Sequence, residues 1–516
     1  MMGKLKRQLG LFDLLIIGIG GAVGTGVLFS TAGMAAATGP SVILAWLIGG
    51  AMYMFIAFTY VDLSTLYPEA GGPSRYSLYT HGKTTNMINA FADLIWYLFI
   101  PPIEALATVE GVNYFWPHLV TSGGNPTTLG AVFGIVLMIA FLPFNYYGIK
   151  AFAQSTNLLG VIKLGLYLLM GIGFVAFAHF GNFSRYGFAP FGANGLMAAI
   201  PLGMFAFGGI RVVPDYAEEV KDRKVLGPAI VWVVIGQVIL YLVLTVGLVA
   251  SINWGRLHFT PGKWVEVGQI AGNAFLTIAH SSTLAWLIVI TAIIAIIGPF
   301  VTGYIYQGSG SRVMLAMGRT GIISKRMQEI SSQTAIPLWA LMAFTVIGAI
   351  VAYIAAPLPS IYNLIGDAVV AGYMGFAVNP PALLALRRLG HQGYLKNSAV
   401  VNVVAVVAFA SASAIIYWSG WPDVPYAMIL LVLASLIFGL VYRVKEHFAN
   451  AVWYMVYLLF LTGMTYLGGP AGVFNIDLGT AIVVVVALVV FLPWGVASRL
   501  PTIGRAPIDE DAQTSA

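Results

Sequence analysis

Two short stretches decide how this chain folds: GIGGAVGTG at residues 18–26 and FAFGGIRVVP at residues 205–214. Each stretch lies inside a long apolar run that is otherwise typical of a helix. The five glycines of the first stretch weaken a helix by about 1 kcal/mol each relative to alanine. In the second stretch, Pro214 has no backbone N–H to donate. We therefore expect two helices that are interrupted near their middles.

The composition of the whole chain places these stretches in a membrane. Of its 516 residues, 59% are hydrophobic and 9% are charged, whereas soluble domains carry about 25% charged residues. So few charges could not cover the surfaces of soluble domains, and the long apolar runs exclude disorder, collagen and coiled coil. The absence of cysteine excludes a disulfide framework and cysteine-ligated metal. The composition thus predicts an all-α integral membrane protein.

The apolar runs predict fourteen membrane spans, because a helix needs about 20 mostly apolar residues to cross the hydrocarbon core. The predicted spans are 14–37, 41–66, 87–115, 129–147, 155–179, 196–218, 226–252, 272–306, 336–356, 361–386, 398–418, 425–442, 450–468 and 479–498. The runs 87–115 and 272–306 are too long for one untilted crossing. We expect both to bend or to extend past the bilayer.

The distribution of lysine and arginine predicts the orientation, because cytoplasmic segments of membrane proteins are enriched in both. With the N-terminus inside, twenty of the 25 cations fall on the cytoplasmic side, and only Arg185, Arg256 and Lys263 fall outside. Both termini are therefore expected in the cytoplasm, with the protein in the cell membrane. The two remaining cations, Lys163 and Arg211, fall inside predicted spans, where an ionisable group is costly and marks a candidate functional site.

The interrupted spans are the first and the sixth, and this separation predicts inverted repeats of spans 1–5 and 6–10. In such transporters, unwound backbone lines a midplane site and half-helix N-termini face an anionic group. We expect a transporter core at 1–390, additional spans 11–14 at 391–500 and a cytoplasmic tail at 501–516. The alternative is that glycines such as Gly20 and Gly24 only allow close helix packing.

Four parts of the sequence resemble motifs of the amino acid–polyamine–organocation (APC) permeases. VGTGV at 23–27 resembles the first-helix GSGIF-type motif of this family. FAFGG at 205–209, followed by AEEVK at 217–221, resembles its FAFxGF…AEEVKNP pattern. SRVMLAMGRTG at 311–321 resembles the signature that follows the eighth helix, and YPEAGGP at 67–73 resembles a linker element.

This resemblance implies an amino acid transporter with a five-plus-five inverted-repeat core that works by alternating access. It covers residues 10–330 and none of the last four spans; most members have twelve spans, so fourteen would place the chain in a longer subgroup. It implies that backbone N–H groups of the first interruption bind the substrate α-carboxylate, namely those of Gly24, Thr25 and Gly26. Carbonyls at the ends of the broken segments would hold the α-amino group, namely those of Ile19, Gly20, Phe205 and Ala206. The full set expected around the substrate is Ile19, Gly20, Val23, Gly24, Thr25, Gly26, Phe205, Ala206, Gly208 and Arg211.

Phe205 also matches the position of the occluding gate in this family, although a packed core phenylalanine is the alternative. Lys163 resembles the fifth-helix lysine that proton-coupled members use where sodium-coupled relatives hold an ion. A buried lysine can lose and regain a proton near neutral pH. The facing segment 293–299 lacks the paired hydroxyls of a sodium site, so proton coupling is favoured over sodium coupling. The alternative for Lys163 is a side chain that reaches to the membrane surface.

Arg211 departs from the family pattern, in which many members carry an acidic residue. Arginine stays charged and cannot carry a proton. It could provide a fork for a second substrate carboxylate, which would suit an acidic amino acid. Alternatively, it could pair with an intramembrane carboxylate. The candidates are Glu104, Glu110 and Asp215, with Glu104 the preferred partner and a possible proton relay.

The remaining acidic residues suggest gating more than substrate contact. Glu218 and Glu219 begin a mixed-charge turn, which we expect to form ion pairs with the linker 67–83 or with Arg312 and Arg319. Asp62 and Asp93 are expected at the membrane interface, and Asp367 is a weak candidate for the coupling path.

The sequence therefore predicts a secondary transporter of amino acids, coupled to protons, with acidic amino acids as one candidate substrate class. An exchanger, a sodium-coupled permease and a transporter-like nutrient sensor remain as alternatives. The histidines form no i, i+4 pair and no serine lies in a Gly-x-Ser-x-Gly motif, so an enzyme is not expected. Neither a metal, a cofactor other than the proton gradient, nor nucleic acid is predicted. The expected partners are the amino acid and the lipid bilayer, and the oligomeric state is left open.

Overall fold

The computed structural model of the chain describes residues 3–176, 178–270, 272–282, 284–356 and 369–502. The described chain is an all-α membrane protein in which twelve helical segments are long and apolar enough to cross a bilayer. The α-helices are α1 (Leu11–Ala22), α2 (Thr25–Thr38), α3 (Val42–Leu66), α4 (Tyr76–His81), α5 (Lys83–Asn113), α6 (Thr128–Ala140), α7 (Leu142–Tyr146), α8 (Ile149–Ala176), α9 (Gly192–Met204), α10 (Gly209–Asp215), α11 (Leu226–Ser251), α12 (Ala274–Ser282), α13 (Ala285–Thr320), α14 (Leu338–Ala355), α15 (Val370–Phe376), α16 (Asn379–Arg388), α17 (Ser398–Ser419), α18 (Asp423–Val441), α19 (Phe448–Gly468), α20 (Ile476–Val486) and α21 (Leu492–Ala497).

The first predicted span is interrupted where the glycines predict it. Helix α1 ends at Ala22 and α2 begins at Thr25, so Val23 and Gly24 lie between the two half-helices. A side chain at residue 24 has no room, since a Cβ atom there would lie 2.6 Å from the Thr302 hydroxyl oxygen and 2.7 Å from a Glu104 oxygen. Residue 24 must therefore be glycine, because the Thr302 and Glu104 side chains lie too close to the backbone to leave room for a Cβ atom.

The sixth predicted span is interrupted by a 3-10 turn at Phe205–Phe207, between α9 and α10. The two interruptions face each other. A Cβ atom at Gly26 would lie 2.9 Å from the Cα atom of Ala206, and one at Gly209 would clash with the carbonyl oxygen of Gly18. The four half-helices pack in two pairs, α1 against α10 and α2 against α9. Both predicted interruptions are thus confirmed, and they lie together in the centre of the helix bundle.

Outside the tenth span, the described helices account for the predicted spans, with two corrections that both concern the eighth span. The segment Thr25–Leu66 would be about 63 Å long as one helix, and a turn at Gly39–Ser41 divides it into α2 and α3, as predicted. The run 272–306 is not one bent helix: it forms the short α12 and the long α13, which continues to Thr320. The motif at 311–321 therefore belongs to the last turns of α13 and does not follow that helix.

The tenth predicted span, 361–386, can be compared only in its second half, where α15 and α16 lie. Asp367 lies outside the described residues. The run 87–115 is a single helix, α5, which contains Pro101 and Pro102 and begins at Lys83. Helices α5 and α13 pack along each other, and α17 packs against α3 and α9. The C-terminal helices therefore lie against the side of the bundle formed by α3, α5 and α9.

We call the two opposite sides of the molecule the basic side and the vestibule side. The basic side holds the N-terminal segment, the α10 C-terminus and the end of α13 with Arg312 and Arg319. The vestibule side is the opposite one, where α2 and α17 end.

Candidate functional site

The N-terminus of α2 holds a carboxylate that belongs to the protein itself. Glu104 of α5 accepts hydrogen bonds from the backbone N–H of Thr25, at 3.3 and 3.2 Å to its two oxygens, and from the Thr25 hydroxyl at 2.8 Å. Both residues are buried, with Glu104 only 1% exposed. Exposed N–H groups at a helix N-terminus are a favourable environment for an anion. Of the three residues predicted to bind a carboxylate, Thr25 therefore does contact one, although it comes from Glu104, whereas the Gly24 N–H donates to the Ala22 carbonyl at 3.1 Å.

The Lys163 ammonium group joins three helices at the level of the first interruption. Its Nζ atom donates to the Gly20 carbonyl at 2.7 Å, to the Gly298 carbonyl at 2.8 Å and to the Thr302 hydroxyl at 2.7 Å. The side chain is 1% exposed, so the alternative in which it reaches to the membrane surface is wrong. All three ammonium donors are satisfied, and together they hold α1 and α13 against α8.

The sequence prediction does not include Thr302, because the segment expected to face Lys163, 293–299, ends at Pro299. Thr302 lies four residues after Gly298 on α13, which is one helical turn, and therefore on the same face. Its hydroxyl also donates to the Gly20 carbonyl at 3.2 Å. Searching one further turn for a hydroxyl would have found it.

The carbonyls predicted to hold an α-amino group have donors within the protein. The Ile19 carbonyl accepts from the Val23 N–H at 2.9 Å, and the Phe205 carbonyl accepts from the Gly208 N–H at 3.3 Å. The Ala206 carbonyl accepts from the hydroxyl of Tyr241, a residue that the sequence did not single out. A carbonyl oxygen has two lone pairs, so these bonds leave room for another donor and the predicted role stays a prediction.

A cavity of about 550 Å³ extends from the two interruptions to the vestibule side. Thr25 and Gly26 line it on α2, and Phe205 lines it on the 3-10 turn. Phe205 is partly exposed, and its ring centre lies 5.8 Å from that of Trp96. It is therefore not a fully packed core residue, and it separates the cavity from Trp96. Residues of α17 and α18 also line the cavity, namely Trp418, Ser419 and Asp423.

Arg211 is fully buried and paired with a carboxylate, as one of the two readings of the sequence requires. Its Nη1 atom donates to Asp93 of α5 at 2.8 Å, and its Nη2 atom donates to the carbonyl of Gly372. The guanidinium also lies over the Trp96 and Phe376 rings, 4.8 and 4.0 Å from their centres. Among the described residues, its Nε atom has no hydrogen-bond partner.

The predicted partner of Arg211 was wrong. Glu104 binds Thr25, and Glu110 accepts a hydrogen bond from the backbone N–H of Asn273 at 3.0 Å. Asp93 had been expected at the membrane interface, but it is 2% exposed. The reason is that α5 begins at Lys83, so Asp93 lies about 15 Å along the helix. Asp62 does lie near a helix end, where it pairs with Arg387.

Ion pairs close the basic side of the molecule, as predicted. Glu219 pairs with Arg312 through both carboxylate oxygens, and Glu218 pairs with Arg319 at 2.6 and 3.0 Å. Burial raises the pKa of Glu218, but its hydrogen bonds to Arg319 and the Arg319 charge hold that pKa below its usual value. The pair therefore stays ionised at neutral pH and weakens only as the pH falls through the lowered pKa. The gating role of these pairs stays a prediction.

The linker and the N-terminal segment contribute to the same closure. The Ala70 N–H donates to Glu218 at 3.1 Å, and the Gly71 N–H donates to the carbonyl of Asp215 at 3.0 Å. The Leu9 N–H donates to the Glu219 carbonyl at 3.0 Å. The cavity and the ion pairs therefore lie on opposite sides of the two interruptions.

Comparison with known proteins shows what kind of protein has this arrangement. The family model described as amino acid permease matches residues 9–495. The aspartate-proton symporter of Bacillus subtilis (strain 168) is 28% identical, over 99% of this chain and 99% of its own length. The glutamate/serine transporter AimA of the same organism is 26% identical, over 97% of this chain and 95% of its own length. The branched-chain amino acid permease BcaP, also from Bacillus subtilis, is 25% identical, over 75% and 82%.

Proposed function

Because the chain belongs to the amino acid permease family of APC transporters, we propose that it is a proton-coupled symporter whose substrates are acidic amino acids. Amino acid transport across a membrane follows from the family itself, and it excludes an enzyme. The coupling ion and the substrate class are the proposal. Its basis is one contact, between Glu104 and Thr25.

The Glu104 carboxylate occupies the donors that a substrate α-carboxylate would need. It is bonded to the N–H and the hydroxyl of Thr25 at the start of α2, next to the cavity lined by Thr25 and Gly26. A substrate carboxylate can bind there only if Glu104 leaves. Protonation of Glu104 removes its charge and weakens it as an acceptor. Binding of a proton to Glu104 and binding of the substrate therefore favour each other.

Lys163 provides the second half of the coupling. Its ammonium group connects Gly20 on α1 to Gly298 and Thr302 on α13. Loss of a proton from Lys163 would remove the charge and one donor, and would loosen α1 from α13. A proton that moves between Lys163 and the substrate site can thus change the packing of the broken first helix. A sodium ion at this position would need the oxygen atoms of Gly20, Gly298 and Thr302 as ligands. The Lys163 ammonium group already binds these three atoms.

Arg211 supports an acidic substrate. Its Nε atom has no acceptor within the described part of the chain, while its other two nitrogens are bonded to Asp93 and Gly372. A side-chain carboxylate could share the guanidinium with Asp93, because the group has five N–H donors. Trp96 contacts both Arg211 and Phe205, so the Trp96 and Phe205 rings lie between the guanidinium and the cavity. The names of the two relatives that match over almost the whole chain each include an acidic amino acid, aspartate or glutamate, and the second also includes serine.

The orientation is also part of the proposal. We place the basic side in the cytoplasm of the cell, because cytoplasmic segments are rich in lysine and arginine. The ion pairs of Glu218 and Glu219 then hold the cytoplasmic side closed, and the 550 Å³ cavity is open to the outside. In this state the protein would receive substrate from outside.

Uptake into proteoliposomes tests the proposal. Labelled aspartate and glutamate should accumulate when an inward proton gradient is imposed, in the absence of sodium and of internal amino acid. A neutral amino acid such as leucine is the comparison substrate. Uptake that requires sodium and ignores the proton gradient would contradict the coupling, and uptake only against internal amino acid would indicate an exchanger. Accumulation of leucine in preference to aspartate would contradict the substrate class.

The Gly24→Ala substitution should impair transport by crowding the Glu104 site. Its added Cβ atom would lie 2.6 Å from the Thr302 hydroxyl oxygen and 2.7 Å from a Glu104 oxygen. Overpacking of this kind costs about 1–3 kcal/mol, so we expect the uptake rate to fall by about tenfold. The matched control is Gly165→Ala on α8, where an added Cβ would meet nothing within 4 Å. Equal uptake by both variants would show that Gly24 is not close to a working part of the site.

The Glu219→Gln substitution should open the cytoplasmic side more often. It removes the charge from a carboxylate that is bonded through both oxygens to Arg312. The chain contains no cysteine, so one introduced by Ser309→Cys gives a single reporter. Ser309 is fully buried on α13, one turn before Arg312. We expect a membrane-impermeant thiol reagent applied from the cytoplasmic side to label this cysteine several-fold faster in the Glu219→Gln background.

The control for this measurement is Glu446→Gln. Glu446 also forms an ion pair, with Lys83 at 3.4 Å, but its side chain is 63% exposed. Exposed pairs contribute little, about 0–1 kcal/mol, so labelling of the reporter should not change. Equal labelling in the Glu219 and Glu446 variants would contradict the gating role.

A further inference from the structure

A group of buried polar side chains lies between Arg211 and the ion pairs of the basic side. We call it the inner polar cluster and define it by Asp215, Tyr60, Tyr76, Tyr97 and Asn379. All five are at most 1% exposed. Within the described residues, hydrogen-bond partners are lacking for both Asp215 oxygens, the three tyrosine hydroxyls and the Asn379 amide nitrogen. A buried polar group without a partner is energetically unfavourable, so this cluster needs an explanation.

The charges around Asp215 do not balance if it is ionised. Arg211, one helical turn before it on α10, is already bonded to Asp93. Arg312, the other cation that acts on Asp215, is bonded through two nitrogens to Glu219. The titratable groups that act on Asp215 lie on every element packed around it: Asp93 and Tyr97 of α5, Tyr60 of α3, Tyr76 of α4, Tyr306 and Arg312 of α13, Arg211 of α10 itself and the adjacent Tyr216. Two carboxylates, Asp93 and Asp215, thus share one central guanidinium.

An unpaired carboxylate in such a place would carry a large desolvation cost, and buried carboxyl groups avoid this cost by taking up a proton. A protonated carboxyl group has an O–H donor and a remaining acceptor. Both suit the Tyr97 hydroxyl, which faces Asp215 but does not reach hydrogen-bonding geometry. Ordered water can bridge such groups at little cost.

We propose that Asp215 is a proton-binding site of the transport cycle, filled while the cytoplasmic side is closed and emptied when that side opens. Two structural features give the proton a path from Asp215, one towards the substrate site and one towards the cytoplasm. Towards the substrate site, the Tyr97 ring lies beside that of Tyr306, with 5.5 Å between their centres and a tilt of 43° between their planes. The Tyr306 hydroxyl in turn lies against Gly208 in the second interruption. The Tyr306 and Tyr97 side chains thus lie between the second interruption and Asp215.

Towards the cytoplasm, Asp215 is covered by the elements that the ion pairs hold in place. The Gly71 N–H donates to the Asp215 carbonyl at 3.0 Å, and Ala70 beside it donates to Glu218. When the pairs of Glu218 and Glu219 break, this cover separates from α10 and water reaches the carboxyl group. The carboxyl group then releases its proton to bulk water and becomes a carboxylate, with no other bond made or broken. Once water solvates the carboxylate, the desolvation cost that favours protonation is removed.

This inference rests on the proposed proton-coupled function and adds a carrier that is separate from Glu104 and Lys163. A second proton would give the complex of an acidic amino acid a net positive charge. The inside-negative membrane potential would then also drive uptake.

The test is the ratio of protons to amino acid, measured in proteoliposomes with an internal pH dye and labelled aspartate. Asp215→Asn keeps the shape of the side chain and cannot ionise. We expect the ratio to fall by about one proton per aspartate relative to wild type. The matched control is Asp477→Asn, an exposed residue in the first turn of α20, which should keep the wild-type ratio. An unchanged ratio in Asp215→Asn would overturn the inference.

The two proposals fail in different ways. If wild-type protein showed no proton-driven uptake at all, the proposed function would fail before Asp215 was considered. If Asp215→Asn does not fold, infrared spectroscopy of the wild-type protein decides. The purified protein in sodium-free buffer should show the carbonyl band of a protonated carboxyl group, and a pH rise together with the gate-opening Glu219→Gln substitution should reduce it. Absence of such a band at neutral pH, or its loss on addition of sodium alone, would overturn the inference in favour of an ionised or sodium-bound Asp215.

Discussion

Replacing Lys163 with methionine is expected to abolish proton-driven uptake. Methionine preserves much of the length and apolar volume of the side chain but removes the ammonium group that binds Gly20, Gly298 and Thr302. Hydrogen bonds from a charged group contribute about 1.5–3 kcal/mol each. Loss of two of the three already corresponds to about 3 kcal/mol, or about a hundredfold in the equilibrium that they control. We expect at least this reduction in accumulation of aspartate under a proton gradient.

The control for this variant lies on the same helix. Lys150 is exposed at the start of α8, so Lys150→Met should transport as the wild type does. Size-exclusion chromatography of both purified variants separates loss of function from loss of folding. Proton-driven accumulation by a well-folded Lys163→Met variant at the wild-type rate would contradict the coupling role of Lys163.

Replacing Arg211 with methionine should have the largest effect on stability. It leaves Asp93 buried at 2% exposure without the guanidinium that it binds at 2.8 Å. Breaking a buried ion pair by removal of one partner costs about 3–5 kcal/mol. We expect a clear fall in the thermal unfolding temperature of the purified protein, whereas Arg388→Met, at an exposed position near the end of α16, should change it little.

A double-mutant cycle with Asp93 then separates pairing from substrate recognition. Replacing both residues, by Arg211→Met and Asp93→Leu, removes the uncompensated charge and should recover most of the lost stability. If Arg211 also receives the second carboxylate of the substrate, the stable double variant should lose aspartate uptake but keep uptake of a neutral amino acid. Retained aspartate uptake in that variant would show that Arg211 is a structural partner of Asp93 only.

The interruptions and the membrane fold could be predicted because they depend on backbone chemistry that is local in sequence. Five glycines in nine residues and Pro214 weaken a helix wherever it lies, and apolar length alone marks a span. Lys163 could be singled out for a similar reason, because a cation in an apolar run has few inexpensive explanations. The ion pairs of Glu218 and Glu219 followed from a charged turn close to the ends of two spans.

The partners of the buried charges could not be predicted, because they depend on how helices distant in sequence are turned towards each other. Asp93 and Arg211 are separated by 118 positions, and Glu104 and Thr25 by 79. Glu104 was a reasonable partner for Arg211 by depth alone, but the rotation of α5 directs it to Thr25. The start of α5 was also placed four residues late, and this error alone moved Asp93 from the interior to the interface. Sequence patterns give the depth of a residue more reliably than the direction in which it points.

The contact of Glu104 with Thr25 has a further consequence, for how long the protein keeps its cargo. In the proposed site, a carboxylate that belongs to the protein would compete with every substrate carboxylate for the same donors. The apparent affinity for substrate is the intrinsic affinity multiplied by the fraction of time that these donors are vacant. If they were vacant for about a tenth of the time, binding would be about tenfold weaker than the contacts alone would give. Because Glu104 would occupy these donors again once the substrate has left, rebinding is slowed and the site favours release over tight retention.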